Sequence, residues 1–261
     1  MWGKLVMSKE TDKKIVKIFF TGGLDSSFRV TQLSKMPVVI LPYYISDSRE
    51  SEKFELSAIK NITKALQLKP DTMATFEPLI IFHKKDRPKD AEITQAFLEL
   101  YNKGYVKKRG QHEWLALVAQ GLGGEIERSS HSDDKITGLM YKLGGVNELT
   151  DPVTGTYFAI DESKTDKNLF KLTKHFRFPL LKMTKLEMAK EYEKMGCADV
   201  MAMTWFCHRP TKKDEACGFC GPCIYTIEEG MPERFTSKAL RRYKYKNFHK
   251  ILYRLRRMLK L

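Results

Sequence analysis

Residues 14–27 read KIVKIFFTGGLDSS, an apolar run that passes directly into a turn of glycines and hydroxyl side chains. The run from Ile15 to Phe20 is almost entirely β-branched or aromatic, which predicts a strand buried on both faces in a parallel sheet. The two glycines allow a sharp turn and let a ligand approach the backbone closely. The amides after the turn would open a helix, and a helix N-terminus binds anions.

The side chains of this turn predict a pyrophosphate-binding loop. Hydroxyl groups can donate to phosphate oxygens, and the carboxylate of Asp25 can hold a metal ion against them. The predicted nucleotide-binding residues are Thr21, Gly22, Gly23, Leu24, Asp25, Ser26 and Ser27. The alternative is an ordinary glycine turn in which Asp25 and Ser26 cap the helix.

The composition is that of an ordinary globular protein. The chain has 261 residues, of which 42% are hydrophobic and 30% charged, so it can bury a sizeable core and is not wholly disordered. No apolar run is long enough to cross a bilayer, and residues 1–14 lack the apolar segment of a secretory signal. We therefore expect a cytoplasmic protein whose cysteines are reduced.

Strand and helix patterns alternate along the first half of the chain. Strands are predicted at 38–45 and 79–82, and helices at 52–68, 93–101 and 113–122. This alternation predicts an α/β fold with a doubly wound parallel sheet. The loop 21–27 would lie at the carboxyl edge, where such sheets bind ligands.

The pattern weakens in residues 123–178. The segment 129–135 is polar and turn-like, and 151–155 predicts another turn. We interpret 123–178 as surface loop, with a substrate lid as the alternative. A helix is predicted again at 184–195, where Thr184 and Glu187 have the spacing of a capping box.

Four of the five cysteines form the pattern Cys207-x9-Cys217-x2-Cys220-x2-Cys223. Two successive x2 spacings bring three thiolates around one tight turn, and Cys207 completes four ligands, which predicts a closed, structural Zn²⁺ site. An iron–sulfur cluster and a redox-active pair are the alternatives. Cys197 stands apart and is interpreted as a core residue.

The turn at 21–27 resembles the PP-loop signature Ser-Gly-Gly-x-Asp-Ser of the ATP pyrophosphatase superfamily, with Thr21 in place of the first serine. Together with the four-cysteine motif, it resembles the 7-cyano-7-deazaguanine synthase (QueC) family and the QueC-like proteins of antiviral defence clusters. Glu55, Arg109 and the segment 178–185 are partial further matches.

The resemblance implies a PP-loop enzyme, an ATP-dependent carbon–nitrogen ligase that uses ATP, Mg²⁺ and Zn²⁺. Such an enzyme adenylates the carboxylate of 7-carboxy-7-deazaguanine, releases pyrophosphate and then AMP, and with ammonia forms 7-cyano-7-deazaguanine, a step of queuosine biosynthesis. The implied catalytic residues are Asp25, Ser26, Lys182 and Arg109, and Lys185 is a further candidate for phosphate contact. The family also suggests a homodimer.

The chain departs from that family in its substrate loop. The aspartate-rich Gly-Tyr-Pro-Asp-Cys pattern is not found, and Asp133 and Asp134 are its nearest counterparts. Three alternatives therefore stay open: transfer of the deazapurine to a protein amine in antiviral defence, modification of tRNA by another PP-loop enzyme, and a non-enzymatic nucleotide-binding subunit.

The C-terminal end carries most of the net charge of +14, because residues 238–260 hold ten lysines and arginines and no acidic residue. Apolar residues recur among them at helical spacing: Leu240, Phe248, Ile251, Leu252, Leu255 and Leu259. The pattern predicts a basic amphipathic helix that docks on nucleic acid, an acidic partner protein or a membrane surface; the alternative is a helix packed on the body. The predicted organisation is a flexible tail at 1–14, a PP-loop domain at 15–200, a zinc region at 201–235 and this helix at 236–261.

Overall fold

The computed structural model describes residues 13–107 and 111–259. These residues form a mixed α/β fold with eight strands. The strands are β1 (Lys14–Phe19), β2 (Val38–Ser46), β3 (Thr75–Phe76), β4 (Ile80–His83), β5 (Ile126–Glu127), β6 (Gly145–Asp151), β7 (Gly155–Asp161) and β8 (Phe176–Arg177).

Eleven α-helices are found in the described part of the chain. They are α1 (Leu24–Ser34), α2 (Glu52–Gln67), α3 (Ala91–Asn102), α4 (His112–Gly121), α5 (Lys135–Leu143), α6 (Lys167–Thr173), α7 (Lys185–Lys194), α8 (Ala198–Ala202), α9 (Gly221–Glu228), α10 (Ser237–Lys244) and α11 (Lys246–Met258). Among these described residues, no helix is both long enough and apolar enough to cross a membrane.

The central sheet has the order β3–β2–β1–β5–β8, and β4 also pairs with β2 beyond the end of β3. Every strand pair in this sheet is parallel. The strand order reverses at β1, because the chain first builds outward through β2 and later returns to the other side of β1 with β5. Ligands of open α/β sheets bind at the carboxyl ends of the strands beside such a reversal.

Both faces of the sheet are covered by apolar side chains, as the apolar sequence of β1 predicts. Val16, Ile18 and Phe20 pack with residues of α1, α2 and α7 on one face. Phe19 points to the other face, where it packs with Tyr43 of β2 and with residues of α3 and α4. The prediction of a parallel α/β sheet with helices on both faces is confirmed.

The predicted strands at 38–45 and 79–82 and the helices at 52–68, 93–101 and 113–122 correspond to β2, β4, α2, α3 and α4 within two residues at each end. The capping box of α7 is also confirmed. The Thr184 hydroxyl accepts from the amide of Glu187 at 3.2 Å, and the Glu187 carboxylate accepts from the amide of Thr184 at 2.7 Å.

The interpretation of residues 123–178 as surface loop is wrong. This segment contains β5, α5, α6, β8 and the antiparallel hairpin of β6 and β7, whose turn lies at the predicted position 151–155. Two-residue strands such as β5 and β8 are too short to show a period, and β6 is largely exposed, so its sequence is polar.

The basic C-terminal segment is two helices and not the single helix predicted for 236–261, because α10 ends at Lys244 and α11 begins at Lys246. Both pack on the cysteine-rich region. The Arg242 guanidinium donates to the carbonyl oxygens of Cys217 and Ala216 at 2.8 and 3.0 Å, and the rings of His249 and Tyr253 contact Phe219. Of the predicted tail 1–14, only its last two residues are described, and Lys14 begins β1.

Candidate active site and metal site

The turn between β1 and α1 requires glycine. Gly22 has φ +70°, and a Cβ atom built on it would lie 2.7 Å from the carbonyl oxygen of Glu55. Its own carbonyl accepts from the amide of Trp205 at 2.8 Å. The loop is therefore held tightly between α2 and the segment that follows α8, and any larger residue at position 22 would force the backbones apart.

The hydroxyl groups of the turn organise its backbone. The Ser26 hydroxyl accepts from the amide of Thr21 at 3.1 Å and lies 3.0 Å from the Thr21 hydroxyl. The hydroxyl of Ser27 is buried and has no hydrogen-bond partner in the described structure. Because α1 begins at Leu24, the first amides of this helix have no intrahelical acceptor, and amides of this kind can bind an anion.

Asp25 is the carboxylate of this turn, and it has an incomplete set of partners. Its Oδ1 atom is buried with no hydrogen bond to the described residues, and its Oδ2 atom lies 3.9 Å from Nε2 of His131. Burial raises the pKa of Asp25 to about 6, although His131 and Lys185 act in the opposite direction. A partly buried carboxylate with one oxygen that lacks a hydrogen-bond partner is suited to bind a cation.

The segment that follows β5 faces this turn across the reversal point of the sheet. His131 is buried, and its Nδ1 atom accepts from the amide of Asp133 at 3.2 Å. In the neutral ring the proton therefore lies on Nε2, which is 3.5 Å from a carboxylate oxygen of Asp134. His131 thus presents a donor between Asp25 and Asp134.

Two cationic side chains lie at the same site. Arg128 is buried, and its Nη2 atom donates to Nδ1 of His112 at 3.2 Å. Lys185, the first residue of α7, lies 2.9 Å from the carboxylate of Glu229. Burial lowers the pKa of Lys185, but Asp25 and Glu229 outweigh this effect, so its pKa is raised and the amine stays charged.

These groups line one cavity of about 360 Å³. The polar and charged residues of its lining include Thr21, Asp25, Ser26, Arg128, His131 and Lys185. Its aromatic and aliphatic residues include Phe19, Tyr43, Ile45, Trp114, Leu115 and Phe206. A planar apolar group with an anionic substituent would match a lining that offers both kinds of surface.

The two predicted basic catalytic residues have different outcomes. Lys182 does not line this cavity, because it is a surface residue whose ammonium lies 2.6 Å from Glu148 and 4.9 Å from the centre of the Phe158 ring. Lys185, three residues later, occupies the cavity instead. Arg109 lies outside the described residues.

Glu55, the glutamate of the family resemblance, lines the cavity from α2. Its carboxylate accepts hydrogen bonds from the hydroxyls of Tyr44 and Ser51, both at 2.7 Å.

Sequence patterns alone do not single out Arg128 and His131. The sequence signal for these two residues is a polar run directly after a short apolar segment, which in a parallel sheet marks the carboxyl edge.

The four cysteines of the predicted zinc site come together in a second, separate position. All four are buried, and their sulfur atoms lie within 4.8 Å of one another. The separations of 3.4, 3.8 and 4.0 Å for three of the pairs are close to the ~3.8 Å between the corners of a tetrahedron with Zn–S bonds of about 2.3 Å. The cluster can therefore hold a metal ion such as zinc.

Backbone amides surround the sulfur atoms of this cluster. Cys207 Sγ accepts from the amides of Arg209 and Cys217 at 3.4 and 3.2 Å, and Cys217 Sγ accepts from those of Phe219 and Cys220 at 3.4 and 3.2 Å. Such hydrogen bonds stabilise negative charge on the thiolates. Cys197 is buried elsewhere in the core, as predicted, and burial raises the pKa of its thiol.

A search against models of protein families finds no match for this chain, and a search of curated proteins finds no similar sequence.

Proposed function

We propose that the protein is an ATP-dependent ligase that activates a carboxylic acid by adenylation, as the resemblance of its motifs to the QueC family implies. The observation that carries the proposal is the turn at 21–27, which joins a β1 carboxyl end, a helix N-terminus and the buried, unpartnered oxygen of Asp25 at the reversal point of the sheet. A triphosphate and a divalent cation need this combination of donors and carboxylate.

The proposed nucleotide site is formed by the residues of the turn. The amides from Gly23 onward and the Thr21 hydroxyl would bind phosphate oxygens, and Asp25 would hold Mg²⁺. When bound, Mg²⁺ stabilises negative charge on the pyrophosphate leaving group. Lys185 is a charged amine in the same cavity and would stabilise charge on the same oxygens.

The chemistry would proceed in two displacements. A carboxylate oxygen of the acid attacks the α-phosphorus of ATP, the bond from this phosphorus to the pyrophosphate oxygen breaks, and an acyl-adenylate forms. An amine nitrogen then attacks the acyl carbon, the bond to the AMP oxygen breaks, and an amide forms after loss of a proton. Dehydration of the amide to the nitrile would use a second ATP: the amide oxygen attacks the α-phosphorus and pyrophosphate leaves, and the carbon–oxygen bond then breaks to release AMP while the nitrogen loses two protons.

The aromatic residues that line the cavity support an aromatic acid as the substrate. Trp114, Leu115 and Phe19 belong to one apolar cluster and line the same cavity as the polar groups, and such apolar surface would also limit the access of water to a reactive anhydride. We therefore propose 7-carboxy-7-deazaguanine as the acid. We further propose that the four cysteines bind Zn²⁺ in a structural role, since four protein ligands leave no open position.

The test is a reaction of purified protein with ATP, Mg²⁺ and 7-carboxy-7-deazaguanine, with and without ammonium, followed by chromatography and mass spectrometry. The proposal expects AMP and pyrophosphate that depend on the acid, and 7-cyano-7-deazaguanine when ammonium is present. AMP without nitrile would retain adenylation and shift the acceptor to a protein amine. The absence of AMP with this acid would refute the proposed substrate.

A further inference from the structure

Two neighbouring residues at the end of β5, Glu127 and Arg128, are both buried but have very different partners. The Glu127 carboxylate receives two hydrogen bonds from the Arg29 guanidinium, at 2.7 and 2.8 Å. Arg128 has no carboxylate within 4 Å among residues 13–107 and 111–259. The Asp134 carboxylate interacts with it electrostatically only from a greater distance. The Arg29–Glu127 pair is a closed structural contact, whereas the Arg128 guanidinium has no carboxylate partner.

The hydrogen-bonding capacity of Arg128 is largely unused. A guanidinium has five N–H donors, and the side-chain hydrogen bond that Arg128 makes goes from Nη2 to His112. Its Nη1 atom is buried and has no partner in the described structure. A buried charge without a partner is costly to the fold, so its position is better explained by a ligand than by stability.

The surroundings of Arg128 are those of an anion site. It lines the cavity together with Ser129, whose hydroxyl is buried and also without a partner among the described residues. His112 contributes no competing positive charge, because burial and Arg128 lower its pKa to about 3. The guanidinium lies 5.4 Å from the centre of the Phe176 ring, which supports one of its faces.

We propose that Arg128 binds the carboxylate of a planar aromatic acid and so determines the acid specificity of the cavity. The inference rests on the proposed adenylation, in which a second anion must bind beside the triphosphate. The turn at 21–27 already supplies donors for phosphate oxygens, whereas the planar fork of Arg128 matches the two oxygens of a carboxylate. Trp114 also lines the cavity, and its ring would lie against the ring of the acid.

The test compares an acid with its neutral isostere in the absence of ATP. Calorimetric titration with 7-carboxy-7-deazaguanine and with its 7-carboxamide measures the contribution of the charge. Arg128→Gln should weaken acid binding by about tenfold or more, because a charged hydrogen-bonded pair is lost. It should leave carboxamide binding within about threefold, and Arg128→Lys should retain part of the preference for the acid.

Two controls distinguish a carboxylate site from a phosphate site and from a purely structural arginine. Arg177→Gln removes a paired arginine from the neighbouring strand β8 and should leave acid binding unchanged. The affinity for ATP, measured with each variant, distinguishes the carboxylate from phosphate: a loss of ATP affinity in Arg128→Gln with acid binding unchanged would overturn the proposal. Equal weakening of acid and carboxamide would also overturn it, since a structural role predicts that result.

The same comparison with benzoate and benzamide tests the site independently of the proposed substrate. If neither deazapurine binds but benzoate is preferred over benzamide in an Arg128-dependent manner, the anion site stands and the identity of the acid fails. If no carboxylate is preferred over its amide, the anion site itself is refuted. The melting temperature of Arg128→Gln without ligand should not fall below that of the native protein by more than about 3 °C, because an unpaired buried charge has been removed.

Discussion

At the scale of single residues, the contrast between the two buried arginines has a direct consequence for stability. Arg29 also donates to the carbonyl oxygen of Thr154 at 3.0 Å, so its guanidinium joins α1, β5 and the β6–β7 turn. Replacement by Gln would leave the Glu127 carboxylate buried and unpaired. We expect Arg29→Gln to lower the free energy of unfolding by about 3–5 kcal/mol, measured by urea denaturation.

A matched change in the same contact tests this interpretation. The double variant Arg29→Met with Glu127→Leu removes both charges and should recover much of the lost stability, because no uncompensated charge remains. A loss below ~1 kcal/mol for Arg29→Gln would contradict the view that this pair is a closed structural contact.

Asp25 is expected to give the apoprotein a pH dependence of known sign. Its pKa is raised from 3.8 to about 6 by burial, so the folded state holds the proton more tightly than the unfolded state. The free energy of unfolding should therefore fall as the pH rises from about 4 to 6. Asp25→Asn removes this penalty and should be more stable than the native protein at pH 7.5 by about 1–3 kcal/mol, with little difference at pH 4.

The measurement is the urea midpoint of both proteins at several pH values, with a chelator present. A constant difference between them from pH 4 to 7.5 would contradict the raised pKa. In the adenylation assay the same variant should lose activity by at least about 100-fold, because the proposed cation ligand is absent.

The two lysines on either side of Thr184 provide a matched pair. Lys185 lines the cavity, whereas Lys182 is 62% exposed and pairs with Glu148. We expect Lys185→Met to reduce kcat/KM for AMP formation by about 10²-fold or more, since preorganised charges of this kind contribute that much. Lys182→Met should change kcat/KM by less than about threefold. A larger loss in Lys182→Met than in Lys185→Met would contradict the assignment of this cavity as the active site.

At the scale of elements, the cysteine-rich segment depends on a tight backbone. Gly218 has φ +79°, and a Cβ atom there would lie 2.1 Å from the carbonyl oxygen of Ala239 in α10. The cysteine-rich segment and the C-terminal helices are therefore packed against each other as one unit. This contact places the start of the basic segment on the cluster of four cysteines.

Removal of one thiolate should strongly weaken metal binding by this unit. We expect the native protein to bind about one Zn²⁺ and Cys220→Ser to bind much less than one equivalent, with a lower melting temperature. Cys197→Ala is the matched control, because Cys197 is also buried but lies outside the cluster. Metal content is read by mass spectrometry, and a full equivalent of zinc in Cys220→Ser would contradict the four-thiolate site. Iron bound by the native protein instead of zinc would favour the alternative of an iron–sulfur cluster.

The elements also differ in how well the sequence predicts them. The helical spacing of apolar residues in α2 and the continuous apolar run of β2 each predict the correct element within a residue or two at each end. Burial sets these patterns along the whole element. The strands β5 and β8 have two residues each and depend on neighbours distant in sequence. The break between α10 and α11 has no glycine or proline, so the sequence pattern continues through it.

The same distinction applies to the site. The turn at 21–27 is contiguous in the sequence, so its hydroxyls, glycines and Asp25 can be predicted together. Arg128 and His131 reach the cavity from the segment after β5 and Lys185 from α7, so their grouping depends on the sheet order and not on spacing. Motif position alone favours Lys182 over Lys185, whereas in the structure Lys182 pairs with Glu148 and Lys185, the first residue of α7, lines the cavity.

At the scale of the whole molecule, the reversal of strand order at β1 organises the site. It brings the turn after β1 beside the segment after β5, and it leaves a cavity between them whose floor is the sheet edge. Two apolar clusters on the faces of the sheet hold this edge in place. The basic helices pack on the cysteine cluster, and their docking to a partner stays a prediction.

The most direct test of carboxylate activation is exchange of labelled pyrophosphate into ATP, because adenylation is reversible and this exchange needs no acceptor amine. The protein, ATP, Mg²⁺ and labelled pyrophosphate are incubated with and without 7-carboxy-7-deazaguanine. We expect label in ATP only when the acid is present, and none with Asp25→Asn. Absence of exchange would contradict activation of this acid, and conversion of ATP to ADP and phosphate whether or not the acid is added would contradict an adenylating ligase.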